Sequence, residues 1–165
     1  MEINNNLMNK VEEDSKLLDE VVDKVVQKST GNLEAYVESI KEFLENGVDK
    51  LTLDDLNNMS LRVASYLFFL STNLEKVGLR QAVANQLRDE KYNYEYSTNA
   101  TGTIADKQAY ALAKVKEEDV INTVFDKAYK ILKMRYSSTE RLVDVIRKVI
   151  TSRIAEMQLS GKVNI

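Results

Sequence analysis

Not one of the 165 residues is proline. A proline inside a helix removes a backbone donor, clashes with the preceding turn and costs roughly 3 kcal/mol. A chain without any can therefore run in long, uninterrupted helices. Glycine occurs only five times, and Gly31, Gly47 and Gly102 fall where a helix would stop or start. The expected fold is all-α: an extended helical bundle with an amphipathic N-terminal helix and a long C-terminal helix. Two regions are expected, an acidic N-terminal helical segment over 1–50 and a helical core over 51–165.

The apolar spacing places the helices. From Asn4 to Lys28, Leu7, Val11, Leu18, Val22 and Val25 share one stripe among Asp, Glu and Lys. This is a thin apolar face suited to docking on another helix, of a partner or of the same domain. A second helix is predicted to begin near Thr30, to carry Leu33, Tyr36, Val37, Ile40 and Leu44, and to stop at Asn46-Gly47. Thr52 is a candidate N-cap for a third, which runs past Arg88 into Lys91-Tyr92-Asn93-Tyr94-Glu95-Tyr96. Its segment Tyr66-Leu67-Phe68-Phe69-Leu70 is apolar all round. Such a stretch needs cover on several sides, at the centre of a bundle or at a subunit interface, and Phe68 and Phe69 are the candidate interface residues.

Ser97 to Thr103 reads as a loop of small polar residues and Gly. Thr103-Ile104-Ala105-Asp106 then reads as a helix start with an acid in the first turn. The short helix it opens carries Ala105, Ala109, Leu112 and Ala113 on one face, with Tyr110 beside them, a face small enough for close approach of another helix. From about Glu117 to Leu159, Ile121, Phe125, Ala128, Leu132, Tyr136, Val143, Ile146, Ile150, Ile154 and Met157 keep helical phase. A single helix of this span is roughly 60 Å long; a break at Ser137-Ser138-Thr139-Glu140 is the alternative. An unbroken helix outreaches a compact body of this size, so a homo-oligomer is expected.

Whole chemistries are missing. There is no Cys and no His, hence no thiolate nucleophile, no zinc-thiolate site and no imidazole base or ligand. The remaining carboxylate clusters are Glu12-Glu13-Asp14, Asp54-Asp55 and Glu117-Glu118-Asp119. The first reads as a solvated helix face, and the other two as helix starts, where the dipole favours acids. No Gly-rich phosphate loop is present. The expectation is a protein without catalytic residues, metal or cofactor. The polar start Met1-Glu2-Ile3-Asn4 carries no signal-peptide pattern. The longest near-apolar run, Val63 to Leu70, is far short of the roughly 20 residues of a membrane span. A cytoplasmic protein without membrane partners is expected.

The net charge of −3 conceals a gradient. Residues 1–60 hold 6 basic and 14 acidic residues; residues 61–106 hold 5 of each; residues 107–165 hold 12 basic and 7 acidic. An acidic head and a basic tail suit two different partners or a head-to-tail assembly. On the last helix Lys127, Lys130, Arg141 and Lys148 project beside the apolar stripe. They form a ridge that can follow a phosphate backbone or simply face water. Arg135 and Arg153 fall by phase on the apolar face itself; there they snorkel or meet an acid across a subunit interface. In Arg88 to Tyr96, tyrosines alternate with charge. Rings such as Tyr92 and Tyr94 can stack on unpaired bases while Arg88 and Lys91 hold phosphates, although three acids share the segment.

The order of these features is a Tyr-rich charged helix end, a polar loop with Gly102, an Ala-rich helix from Thr103 to Ala111, and a long amphipathic helix with Tyr129, Leu132 and Arg135. Over roughly Leu61 to Met157 this order resembles the UvsY-like recombination mediators of tailed phages. The resemblance implies an α-helical, ring-forming protein without catalysis. Such a protein binds single-stranded DNA, contacts the single-strand-binding protein and helps load a RecA-like recombinase. It also implies DNA contacts from basic residues on the helix before the loop, the region of Arg88 and Lys91. Two other classes fit the same residues. One is a structural or assembly protein of a phage particle, such as a coiled-coil adaptor; the other is a regulator that covers a basic host protein with its acidic head.

Overall fold

The structure, a computed structural model, describes residues 5–47 and 50–163, with side chains in the terminal helices from Met8 to Gly161. Asn4 and the Leu7 side chain, assigned above to the first helix and its stripe, lie outside what is described. The fold is all-α, with no strand among the described residues. Helix α1 spans Asn5–Thr30, α2 Leu33–Glu45 and α3 Leu53–Tyr94. A π-helical turn over Glu95–Asn99 follows α3, and then come α4, Ile104–Lys114, and the long α5, Lys116–Val163.

Local chemistry sets the boundaries. Thr52 and Asp55 close a reciprocal cap at the start of α3: the Asp55 backbone N–H donates to Thr52 Oγ1 at 3.1 Å, and Thr52 N–H donates to the Asp55 carboxylate at 2.9 Å. Thr103 and Asp106 repeat the device at α4. Both carboxyls are held below the usual range by the Thr side chain first and the Thr backbone second. Gly31, Gly47 and Gly102 all have positive φ. At Gly102 the requirement is double, because a Cβ there would stand 2.9 Å from the Asp106 carboxylate that caps α4.

Two boundaries differ from expectation, and the unbroken C-terminal helix holds over its alternative. Thr30 does not open α2; it closes α1, and its hydroxyl donates across the turn to Glu34 at 3.0 Å. Ser97 to Asn99 is not loop but part of the π turn, in which the Ser97 hydroxyl donates to the Asn93 carbonyl at 2.7 Å and the Ala100 N–H to the Glu95 carbonyl at 2.9 Å. Helix α5 does not break at Ser137 to Glu140, because the buried Thr139 hydroxyl turns back onto the Arg135 carbonyl at 2.8 Å and caps nothing.

The chain divides into two compact units that interleave along the sequence. The first combines the described part of Met1–Lys28 with Leu74–Leu132. Its buried side chains are small: Val22 and Val26 of α1, Val77 and Ala84 of α3, Ala111 of α4, and Val124, Ala128 and Leu132 of α5. Gly78 belongs to this close packing, since a Cβ there would meet the Tyr129 ring at 3.1 Å. On α4 the buried residue is Ala111, whereas Ala105, Ala109, Leu112 and Ala113 face outward, the reverse of the face expected. Ile121 is likewise exposed and Val124 takes its place.

The second unit combines Ser29–Asn73 with the described part of Lys133–Ile165. Its core is larger and more branched. Ile40 of α2 packs with Leu56, Met59, Val63 and Leu67 of α3 and with Val143 and Ile146 of α5. Tyr36, Leu44 and Tyr136 pack against that cluster. The Tyr66–Leu70 segment is buried only at Leu67 and Leu70. Phe68 and Phe69 are 70% and 65% exposed, so burial on several sides is not achieved within the chain.

Candidate nucleic-acid interface

In the first unit, α3 and α5 run past each other through polar rungs. Gln81 donates to Asp126 at 2.8 Å, Asn122 to Asn85 at 2.8 Å, Arg88 Nε to Asp119 at 2.9 Å and Lys91 to Glu118 at 2.7 Å. The α3 numbers rise as the α5 numbers fall, the register of an antiparallel pair. Two further oxygens on this seam, Glu118 Oε2 and Asn122 Oδ1, are buried without a partner among the described residues.

This geometry changes the standing of Arg88 and Lys91. Arg88 is engaged twice, by Asp119 and by Asp89 at 3.0 Å, and those two carboxylates raise its pKa. It also lies 5.5 Å from the Tyr92 ring centroid, and Tyr92 in turn stacks on Tyr96 at 6.1 Å. Lys91 is raised by its bond to Glu118, whose own carboxyl is lowered by Lys91. Both cations therefore stitch α3 to the acidic first turn of α5. Tyr94 is 58% exposed and belongs to neither arrangement.

The ridge on α5 is divided in its chemistry. Lys130 pairs with Asp126 one turn earlier at 2.7 Å. Lys127 stands 3.9 Å from Asp19 of α1, both largely exposed, a separation at which water competes well. Arg141 and Lys148, in the second unit, are exposed and have no acid partner among the described residues. Arg147 is tied only loosely to Asp144, at 3.7 Å with both side chains 66% exposed.

The two arginines on the apolar face are accounted for inside their own unit. Arg135 pairs with Glu34 of α2, and Arg153 donates to the Leu51 backbone carbonyl. The acid expected for Arg135 across a subunit interface is thus present on the same chain. Sequence reasoning found these cations but not their partners. Glu118 and Asp119 were explained by the helix dipole alone, and no pattern within α3 or α5 reveals which residues the antiparallel register sets opposite each other.

Among the described residues no group of three or more Asp or Glu is arranged to hold a metal ion, and no helix is long and apolar enough to cross a membrane. No protein-family model, no curated protein and no solved structure matches the chain.

Proposed function

We propose that the chain is a non-catalytic, self-associating mediator of phage recombination, one that binds single-stranded DNA and helps load a RecA-like recombinase alongside a single-strand-binding protein. The observation that carries this reading is the pair Arg141 and Lys148, exposed on the second unit's part of α5 without an acid to neutralise them. Seven residues apart on one helix, they lie two turns from each other on the same side, roughly 10 Å along the axis. Unpartnered cations in such a row exchange condensed counterions for phosphates, the main source of affinity for nucleic acid without sequence preference. The element order α3, turn, α4, α5 is also the order on which the resemblance to the UvsY-like mediators rests.

Fluorescence anisotropy with a labelled oligo(dT) and the full chain tests the reading. Binding at micromolar protein that weakens steeply with added salt is expected. No change in anisotropy at low ionic strength would overturn it.

A second reading is favoured by a different observation. Leu61, Phe68 and Phe69 on α3 are each more than 60% exposed, and the cations nearest the Tyr-rich stretch are consumed by internal acids. This suits a helical structural or assembly component of a phage particle. Co-purification with particle proteins and indifference to DNA would select it.

A further inference from the structure

Phe68 and Arg141 are far apart in sequence. In the second unit they line one groove of about 560 Å³ between α3 and α5, together with Ser71, Glu140, Asp144 and Arg147. We infer that this groove is a single-stranded DNA site, in which Phe68 stacks on an unpaired base and the Arg141 guanidinium takes an adjacent phosphate. The inference rests on the DNA-binding reading above and adds to it the place and the recognition chemistry.

The charges around the groove decide its character. Two acids and two arginines line it, so the charges balance in number. Glu140 lies against the Tyr136 phenol, whose pKa is raised by burial first and by the Glu140 carboxylate second. Asp144 is opposite Arg147. The phenol is neutral, so Glu140 keeps its charge; Arg141 is the cation of the lining that has no ion pair among the described residues. On the same groove stands the Phe68 ring, which the fold leaves 70% exposed and which meets Phe69 edge-on at 5.7 Å. An exposed ring and an unpaired guanidinium on one groove form a combination that can hold unpaired nucleotides without reading their sequence, because every base presents a π face and every linkage a phosphate. Duplex DNA has its bases stacked on each other and offers no face to Phe68, so single strands are preferred.

The chain has no tryptophan, which makes Phe68→Trp a sole reporter. In the full chain its emission should be quenched by oligo(dT), and not by an abasic oligonucleotide of equal length carrying the same phosphates. Phe68→Ala should weaken oligo(dT) binding on the order of tenfold while leaving the salt dependence unchanged. Arg141→Ala should lower the slope of log affinity against log salt by about 0.7, the value of one phosphate on a single strand; Arg141→Lys should restore it. Circular dichroism and light scattering on each variant complete the set. If the wild type binds but Phe68→Ala binds equally well and Phe68→Trp is not quenched, the groove is wrong and the DNA-binding reading survives. If Phe68→Ala instead changes the subunit number, the ring packs on a second copy and the inference falls. If the wild type does not bind at all, both fall together.

Discussion

The same two helices meet twice in this protein and are joined by different chemistry each time. In the first unit α3 and α5 are linked by four polar rungs, from Gln81–Asp126 to Lys91–Glu118, over buried residues no larger than Val and Leu. In the second they are joined by an apolar cluster around Leu56, Val63 and Ile146. The consequence reaches the surface. On the polar seam itself Arg88 and Lys91 are spent on acids of the same chain. On the second unit's part of α5, Arg135 pairs with Glu34 and Arg147 loosely with Asp144, while Arg141 and Lys148 are exposed and have no ion pair among the described residues. A count of basic residues treats all of these alike, but of them only Arg141 and Lys148 are available to a phosphate without first breaking an internal pair.

The largest effect is expected in the second unit's core. Ile146 is fully buried, and Ile146→Ala should cost about 3 kcal/mol from lost transfer energy and the cavity left behind, read as a lower urea midpoint. A loss below about 1 kcal/mol would show that the second unit does not depend on its apolar cluster.

The cations give a crossed prediction. Arg141→Ala with Lys148→Ala should reduce the salt slope of DNA binding by about 1.4, two phosphates' worth, and leave the melting temperature in place. Arg88→Ala with Lys91→Ala should do the opposite, lowering the melting temperature slightly because these side chains are partly solvated, with DNA affinity retained. Equal losses of affinity from both double variants would erase the distinction between the two regions.

A smaller effect sharpens the account of the caps. Thr103→Ala removes the hydroxyl that accepts the Asp106 N–H and should cost about 1 kcal/mol, measurable by thermal melting. The least effect is expected from pH. The Glu118 carboxyl is lowered by Lys91, so its contribution is present above the ordinary glutamate pKa and is lost as pH falls through the lowered value. Lys91 is raised, so its contribution persists below the ordinary lysine pKa and is lost as pH climbs through the raised value. Glu118→Gln should flatten the acid limb of the stability profile, and an unchanged limb would remove that pair from the account.

Much of the backbone was legible because its signals are local. Thr52 and Thr103 are short-range devices, and Gly31, Gly47 and Gly102 mark places where only a left-handed residue fits. The phase from Phe125 to Ile150 survives because nothing interrupts it. What escaped depends on neighbours distant in sequence. The buried face of α4 is Ala111 and not Ala105 or Ala109, since small residues at several phases leave the choice to whichever helix stands opposite. Ser97, Thr98 and Asn99 have loop composition, yet the Ser97 hydroxyl finds a carbonyl one turn back and the helix widens instead of ending. Of the site, the cations themselves were readable. Their pairing was not, and neither was the groove that Phe68 and Arg141 both line.

The last turns of α5 carry a further consequence. Beyond the half-buried Arg153 every described side chain is exposed, including Ile154, Met157 and Leu159. Only intrinsic propensity keeps these residues helical, and propensity alone sustains a short helix poorly in water. Their amide protons should therefore swap for deuterium far sooner than those between Leu132 and Ile146. Any companion that settles on Ile154, Met157 and Leu159 would slow that exchange, making this stretch of backbone a built-in gauge of assembly.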